Sequence, residues 1–311
     1  MIKRVYLHAL YAKNLVMTEL NKPHWDDLET VLALVQHGSL AAAAAALGVN
    51  YTTVARRVTR LEQALGQMLF DRFKDGYRPT EAGRMVSAHA AQMQQSENAM
   101  LLEFKGQDSR LTGPLVVTAP QLWVAYVLPE AIANFTNDHP DVDLQIRATN
   151  DILDLSRGEA DLALRSGRNL DDSLMGLRLS GQDTASFASP KWAEQIANAP
   201  DKPIDWIIYA AYKSLPDEVR EAYPSSRIRY RFDDMIAMAG AAASGLGVVR
   251  MPMVLGQRMA GLVQVPLLQP KPYADIWIVS HNSVWHGAKP TAFREAVKQV
   301  IKKDRALFTQ K

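Results

Sequence analysis

Cysteine is missing from all 311 residues, which excludes disulfides, thiolate metal sites and cysteine nucleophiles and fits a reducing compartment. No apolar run approaches the ~20 residues that a membrane-spanning helix requires. Net charge is scarce too: 35 basic and 33 acidic side chains leave a formal +2. The molecule as a whole is no polycation, so any nucleic-acid surface has to be local. Catalytic signatures are equally thin. Gly-x-Ser-x-Gly, His-Glu-x-x-His and phosphate-loop patterns do not occur. Gly245-x-Gly247 lacks the third glycine of a dinucleotide loop and follows a helix. The seven histidines are scattered, and His281 and His286 near Trp285 read as a surface loop without a metal set. No enzyme, metal or cofactor is expected. The first residues have a charged head, but their apolar stretch is broken by Lys13 and lacks a small-residue cleavage site. They read as an arm or an over-long start, Met17 being a second candidate initiator, and the cytoplasm is the expected location.

What the chain does carry is concentrated between Trp25 and Arg72. Leu28, Val31, Leu32 and Val35 recur at helical spacing behind Asp26, a suitable N-cap, and His37-Gly38 supplies a stop. Ser39 precedes a second helix, Leu40 to Leu47, built almost wholly of alanine, whose small side chains let helices approach closely. After the turn Gly48-Val49-Asn50, a third helix spans Tyr51 to Leu65. Val54, Val58, Leu61 and Leu65 face inward, and Arg56, Arg57 and Arg60 fall mainly off that stripe. Three short helices with a cationic third are the pattern of a helix-turn-helix, whose third helix lies in the DNA major groove. Asp75-Gly76, flanked by Phe73-Lys74 and Tyr77-Arg78, predicts a hairpin wing. From Tyr51 to Arg78, six basic side chains oppose three acidic ones, a local excess of +3.

Thr80-Glu81 then opens a long helix to about Phe104. Its Met85, His89, Met93, Ser96 and Met100 stand at near-heptad spacing, which suits both packing within one domain and a two-chain coiled coil. Lys105 to Ser109 reads as a polar breaker. Beyond Gly113-Pro114, strands are expected over 115–119, 142–148, 161–165, 184–189, 204–210, 227–232 and 276–280, with helices over 127–137, 151–157, 233–244 and 291–308. Repeated strand–helix units imply a largely parallel sheet, which binds ligands outside the carboxyl ends of its strands. A solute-binding protein would share such a sheet but needs export and no arginine-bearing third helix. An enzyme on the same sheet needs paired acid–base residues, which are not found.

The residues also match a known family. Trp25-x-x-Leu28, Val35, Gly38-Ser39 and Ala43-Ala44-x-x-Leu47 resemble the first two helices of the LysR-type transcriptional regulators. Thr53-Val54-x-Arg56-Arg57-Val58-x-x-Leu61-Glu62-x-x-Leu65-Gly66-x-x-Leu69-Phe70-x-Arg72 and Thr80-x-Ala82-Gly83 resemble the rest of their winged helix-turn-helix. Leu128-Pro129, Phe135, His139-Pro140-x-Val142, Gly158-x-x-Asp161-Leu162-Ala163, Ala188-Ser189-Pro190 and Gly245-Leu246-Gly247-x-x-x-x-Pro252 are similar to the family's regulatory domain. The resemblance runs from about Trp25 to the C-terminus. Ala55 departs from it, since the family often has serine there.

This resemblance implies an α+β multidomain fold. Its parts are an extension over 1–23, a winged helix-turn-helix over 24–80, a linker and dimerisation helix over 81–104, a hinge over 105–113 and a two-lobed α/β effector domain over 114–311, like a type 2 periplasmic binding protein. It implies a homodimer or a homotetramer built as a dimer of dimers, bound to double-stranded DNA at an interrupted inverted repeat and biased by a small molecule held between the lobes. Tyr51, Thr52 and Arg56 would face base edges with Arg57 next to them, Thr53 and Arg60 belong to the same DNA-binding set, and Arg72 and Arg78 would contact the backbone. Effector contacts are expected from Pro120, Gln121, Leu122, Trp123, Thr149, Asn150, Arg165, Ser166, Phe232 and Asp233. Arg165 either pairs with a ligand carboxylate, which suggests a small organic anion, or makes a structural salt bridge. Trp123 suits packing better than recognition.

Overall fold

In the computed structural model, residues 22–73, 76–167, 173–199 and 202–310 are described. Most of the extension, and Lys74 and Asp75 of the predicted wing turn, lie outside them. The chain divides into two compact units between Asn98 and Ala99.

The first unit holds α1 (Trp25–His37), α2 (Leu40–Leu47), α3 (Tyr51–Leu65), β1 (Phe70–Phe73), β2 (Gly76–Pro79) and the first turns of α4 (Glu81–Gln107). Gly38 ends α1 in the left-handed region at φ 72, a conformation open cheaply only to glycine, and its N–H bonds to the Leu34 carbonyl. Ser39 Oγ then accepts from the Ala42 N–H at 3.2 Å and caps α2 as its sequence suggests. Val31, Leu34, Ala43, Val54, Val58, Leu61, Leu69 and Phe70 form one buried cluster across all three helices and the wing. Two expectations need correction. Asp26 lies inside the first turn of α1 and pairs with Arg57 instead of capping the helix. Leu65, expected inward, is 38 % exposed in the last turn of α3.

Two glycines let α4 make close approaches. A methyl group on Gly83 would overlap the Leu69 carbonyl oxygen. One on Gly106 would overlap the Ser283 carbonyl oxygen. The second contact corrects the predicted breaker. Lys105, Gly106 and Gln107 continue the helix, because Gly106 packs against the 283 backbone and Lys105 Nζ bonds Asp161 Oδ1 at 3.1 Å. Tertiary contact overrides a polar, glycine-containing sequence there.

The second unit comprises β3 (Gly113–Ala119), α5 (Gln121–Tyr126), α6 (Pro129–Asp138), β4 (Val142–Ala148), β5 (Leu162–Ser166), β6 (Leu174–Ser180), β7 (Asp183–Ala188), α7 (Pro190–Asn198), β8 (Asp205–Tyr209), α8 (Asp217–Ala222) and β9 (Arg227–Phe232). It continues with α9 (Met235–Ala243), β10 (Val248–Pro252), α10 (Met253–Arg258), β11 (Val263–Val265), β12 (Lys271–Pro272), β13 (Ile276–His281), α11 (Asn282–Trp285), α12 (Ala288–Lys303) and α13 (Arg305–Phe308). Strand order β4-β3-β5-β13-β6 defines the first lobe, and β11-β7-β10-β8-β9, with β12 on β7, the second. The chain passes between lobes at 181–182 and again at 273–275.

Both sheets are mixed. β3 runs parallel to β4 and β5, but β13 is antiparallel to β5 and β6, and β7 is antiparallel to β10. This corrects the largely parallel sheet that strand–helix alternation suggests: β13 returns antiparallel from the other lobe, and β6, β11 and β12 were not foreseen. The helix expected over 151–157 is only a 3-10 turn, Leu155–Arg157. The Asp154 carboxylate accepts from the Ser156 and Arg157 N–H groups. Such local side-chain bonds compete with helix propagation.

Candidate DNA interface and effector cleft

On α3 the valines turn inward, which leaves Tyr51 (63 % exposed), Thr52 and Arg56 together at the surface of its first two turns. Thr53 is half-buried and its N–H bonds to the Asn50 carbonyl. The other two arginines of the helix are engaged with α1. Arg57 Nη2 meets Asp26 Oδ2 at 2.6 Å and its Nη1 reaches Thr30 Oγ1 at 3.5 Å. Arg60 grips the buried Asp27 with two bonds, Nε to Oδ2 at 2.8 Å and Nη2 to Oδ1. That hydrogen bonding holds the Arg60 guanidinium above its ordinary pKa. Burial, reinforced by Glu97 and Asp26, pushes the neighbouring Glu29 carboxyl up. Arg57 and Arg60, grouped with Arg56 by the sequence, thus also pin the third helix to the first, Arg60 with its side chain still half exposed.

The wing is anchored by a residue that sequence reading left without a role. Glu62, 7 % exposed, accepts at Oε1 from the Leu69 N–H at 2.9 Å and the Phe70 N–H at 3.3 Å. Its Oε2 lies 3.8 Å from Arg72 Nη2. The signal available in sequence was a glutamate at the end of an apolar stripe, Val54-Val58-Leu61, seven residues before a chain reversal. Arg72 also lies 5.9 Å from the Tyr77 ring centre, and Arg78 lies 4.7 Å over the Phe73 ring.

In the second unit, a cleft of about 640 Å³ opens at the carboxyl ends of the first lobe's strands. Thr118, Ala119 and Pro120 end β3, Thr149 to Ile152 follow β4, and Ala163 to Gly167 close β5. Thr149 Oγ1 bonds Asp151 Oδ2 at 3.1 Å, and its N–H bonds the Ala119 carbonyl. Arg165 Nη2 donates to the Leu153 carbonyl at 2.8 Å. Ser166 Oγ accepts from Gln182 Nε2 at 3.3 Å, which links the cleft to the segment passing between lobes.

Pro120, Thr149, Asn150, Arg165 and Ser166 thus come together in the lining of this cleft, whereas Gln121, Leu122, Trp123, Phe232 and Asp233 are not part of that lining. Trp123 and Leu122 are buried in the core, with the Trp123 and Phe308 ring centres 6.1 Å apart. The short helix after Pro120 turns these side chains back under the sheet. Phe232 packs on the second lobe's side of that core and Asp233 is exposed. The lining residues that sequence reasoning missed, Thr118, Ala119, Asp151, Ile152, Ala163, Leu164 and Gly167, neighbour those it found. The rule that ligands bind beyond parallel strand ends would have reached them.

Residues 25–84 match the bacterial regulatory helix-turn-helix protein of the lysR family, and residues 108–302 match the LysR substrate binding domain. The chain belongs to the LysR family. It is a LysR-type DNA-binding transcriptional regulator with an effector-binding domain, and its relatives are regulators, not enzymes. Over 263 residues, 83 % of this chain and 89 % of the relative, it is 28 % identical to the Mau operon transcriptional activator of Paracoccus denitrificans. A full-length OxyR variant from Pseudomonas aeruginosa superposes with a TM-score of 0.55 at 22 % identity, covering 90 % of this regulator and 94 % of that chain. Full-length AphB, the Vibrio cholerae virulence activator, gives 0.51 at 21 % identity, over 88 % and 98 %. Among the regulator's described residues, no helix is long and apolar enough to cross a membrane.

Proposed function

We propose that this LysR-type regulator reads an interrupted inverted repeat in double-stranded DNA through Tyr51, Thr52 and Arg56. Arg72 and Arg78 address the backbone, and a small organic anion held at Arg165 sets the regulatory state. The observation that carries the reading is the separation of three arginines on one helix. Arg57 and Arg60 are bound to carboxylates of α1, whereas Arg56 stands exposed beside Tyr51 and Thr52. An arginine presented that way donates two bonds to guanine O6 and N7, worth about 1–3 kcal/mol of base discrimination.

Footprinting of the full chain on the DNA flanking its own gene, at fixed salt, tests this. Arg56→Ala is expected to relax preference at one position per half-site while the protein stays folded. Arg60→Ala is expected to lower the melting temperature and leave base preference alone. Equal losses on specific and random DNA for Arg56→Ala would remove its base-reading role.

The paired arrangement that a two-half-site operator demands is supported by α4, whose Met85, Met93, Met100, Leu101 and Phe104 are all exposed. A solvated row of that kind is the seam on which a second copy would pack as a homodimer, with the tetramer as a further assembly. For the effector, small mono- and dicarboxylates are expected to raise the melting temperature of the wild type and not of Arg165→Gln. A shift that is the same in both would place the anion elsewhere.

A further inference from the structure

The outer face of the wing carries a pair of side chains whose contact serves no buried core. In the β1–β2 register, Asp71 lies opposite Arg78 and Phe73 opposite Gly76. Side chains alternate faces along a strand, so Asp71, Phe73 and Arg78 share one face, with Phe73 diagonal to Arg78. The other face carries Phe70 and Tyr77, ring centres 6.1 Å apart and edge to face, with Phe70 sealed in the core. Phe73 belongs to no such cluster. It is 49 % exposed, and the glycine opposite leaves its ring uncovered. What it does touch is Arg78, whose guanidinium carbon sits 4.7 Å from the ring centre.

A large exposed aromatic on a hairpin costs solubility and gains little for the fold. Its placement has a use if the ring serves the arginine. Stacking on an aromatic uses the face of a guanidinium, whereas the bonds to phosphate oxygens are made by the N–H donors in its plane, so one arginine can do both. A long side chain meeting phosphate unaided loses rotamer freedom on binding, whereas one already laid on a ring has less left to lose. Arg72 is held differently, on the inner face near Glu62 and Tyr77.

The geometry points to Phe73 as a positioning residue for DNA binding, its ring holding the Arg78 guanidinium ready for a backbone phosphate. This rests on the reading of Arg78 as a phosphate contact. The test measures binding of the full-length protein to a mixed-sequence duplex several helical turns long, by fluorescence anisotropy across a salt series, with the melting temperature of every variant recorded. Phe73→Leu is expected to weaken binding about two- to five-fold per wing, the size of an exposed cation–π contact. It should leave the salt slope and the melting temperature unchanged, because the phosphate contact still forms. Phe73→Tyr, which keeps the ring, should bind as the wild type does. Arg78→Ala should weaken binding and lower the salt slope by about one per wing. In that background Phe73→Leu should add no further loss.

Wild-type binding by Phe73→Leu, or the same loss with and without Arg78, overturns the proposal while the arginine's own role stands. An Arg78→Ala variant with unchanged affinity and slope overturns the phosphate contact itself, and the proposal with it.

Discussion

Glu62→Ala is expected to cost the winged helix-turn-helix about 2–6 kcal/mol, the sum of two buried N–H groups left without an acceptor at about 1–3 kcal/mol each. The carboxylate sits at the end of α3, under the turn into β1, and its Oε1 takes both the Leu69 and the Phe70 N–H. No backbone partner takes its place, because the chain is reversing there and neither amide belongs to a helix. A unit of this size has on the order of 5–10 kcal/mol in all, so the loss is a large share of its stability. Glu62→Gln keeps one acceptor oxygen and loses only charge assistance, so it should fall well short of the alanine variant. Calorimetry of the full chain measures the first, and hydrogen exchange over 66–72 localises it. Unchanged protection of the Leu69 and Phe70 amides in Glu62→Ala would disprove the latch.

Gly83→Ala is expected to destabilise the same unit by about 3 kcal/mol, the upper end of what over-packing costs. Alanine is the better helix former by nearly 1 kcal/mol, so a variant judged by propensity alone should gain. The contact decides the sign. An added methyl falls on the Leu69 carbonyl oxygen, which is backbone and already accepts the Thr80 N–H at 3.0 Å. It can move only by giving up that bond. The Thr80 hydroxyl that caps α4 through the Gly83 N–H would be displaced as well. A melting temperature equal to or above that of the wild type would show that α4 can ride outward at no cost.

Both predictions fall on residues whose family motif is plain in the sequence and whose physical task is not. Glu62 stands in the run from Thr53 to Arg72 and Gly83 closes the Thr80-x-Ala82-Gly83 signature, yet neither motif says that one collects amide protons or that the other clears a carbonyl. The same division runs through the effector domain. Strands such as 142–148 and 227–232 were legible residue for residue, because alternation and turn residues are local signals. β6 was not, and the antiparallel return of β13 between lobes is a tertiary matter that strand–helix alternation does not show. Trp123, in a segment where the resemblance led one to expect ligand contacts, lies instead in the short helix after Pro120 with its large apolar surface packed near Phe308.

Helix boundaries, the left-handed stop at Gly38, the cap at Ser39 and the inward valines of α3 follow from neighbours within a few residues, so the chain order alone sufficed for the DNA-binding module and its class. Which of Arg56, Arg57 and Arg60 are ion-paired to the first helix depended on where Asp26 and Asp27 come to lie, some thirty residues earlier in the chain. Which loops line the cleft depended on three strand ends meeting side by side. Such matters rest on distances between segments remote in sequence, and a linear pattern does not encode a distance until the core has packed.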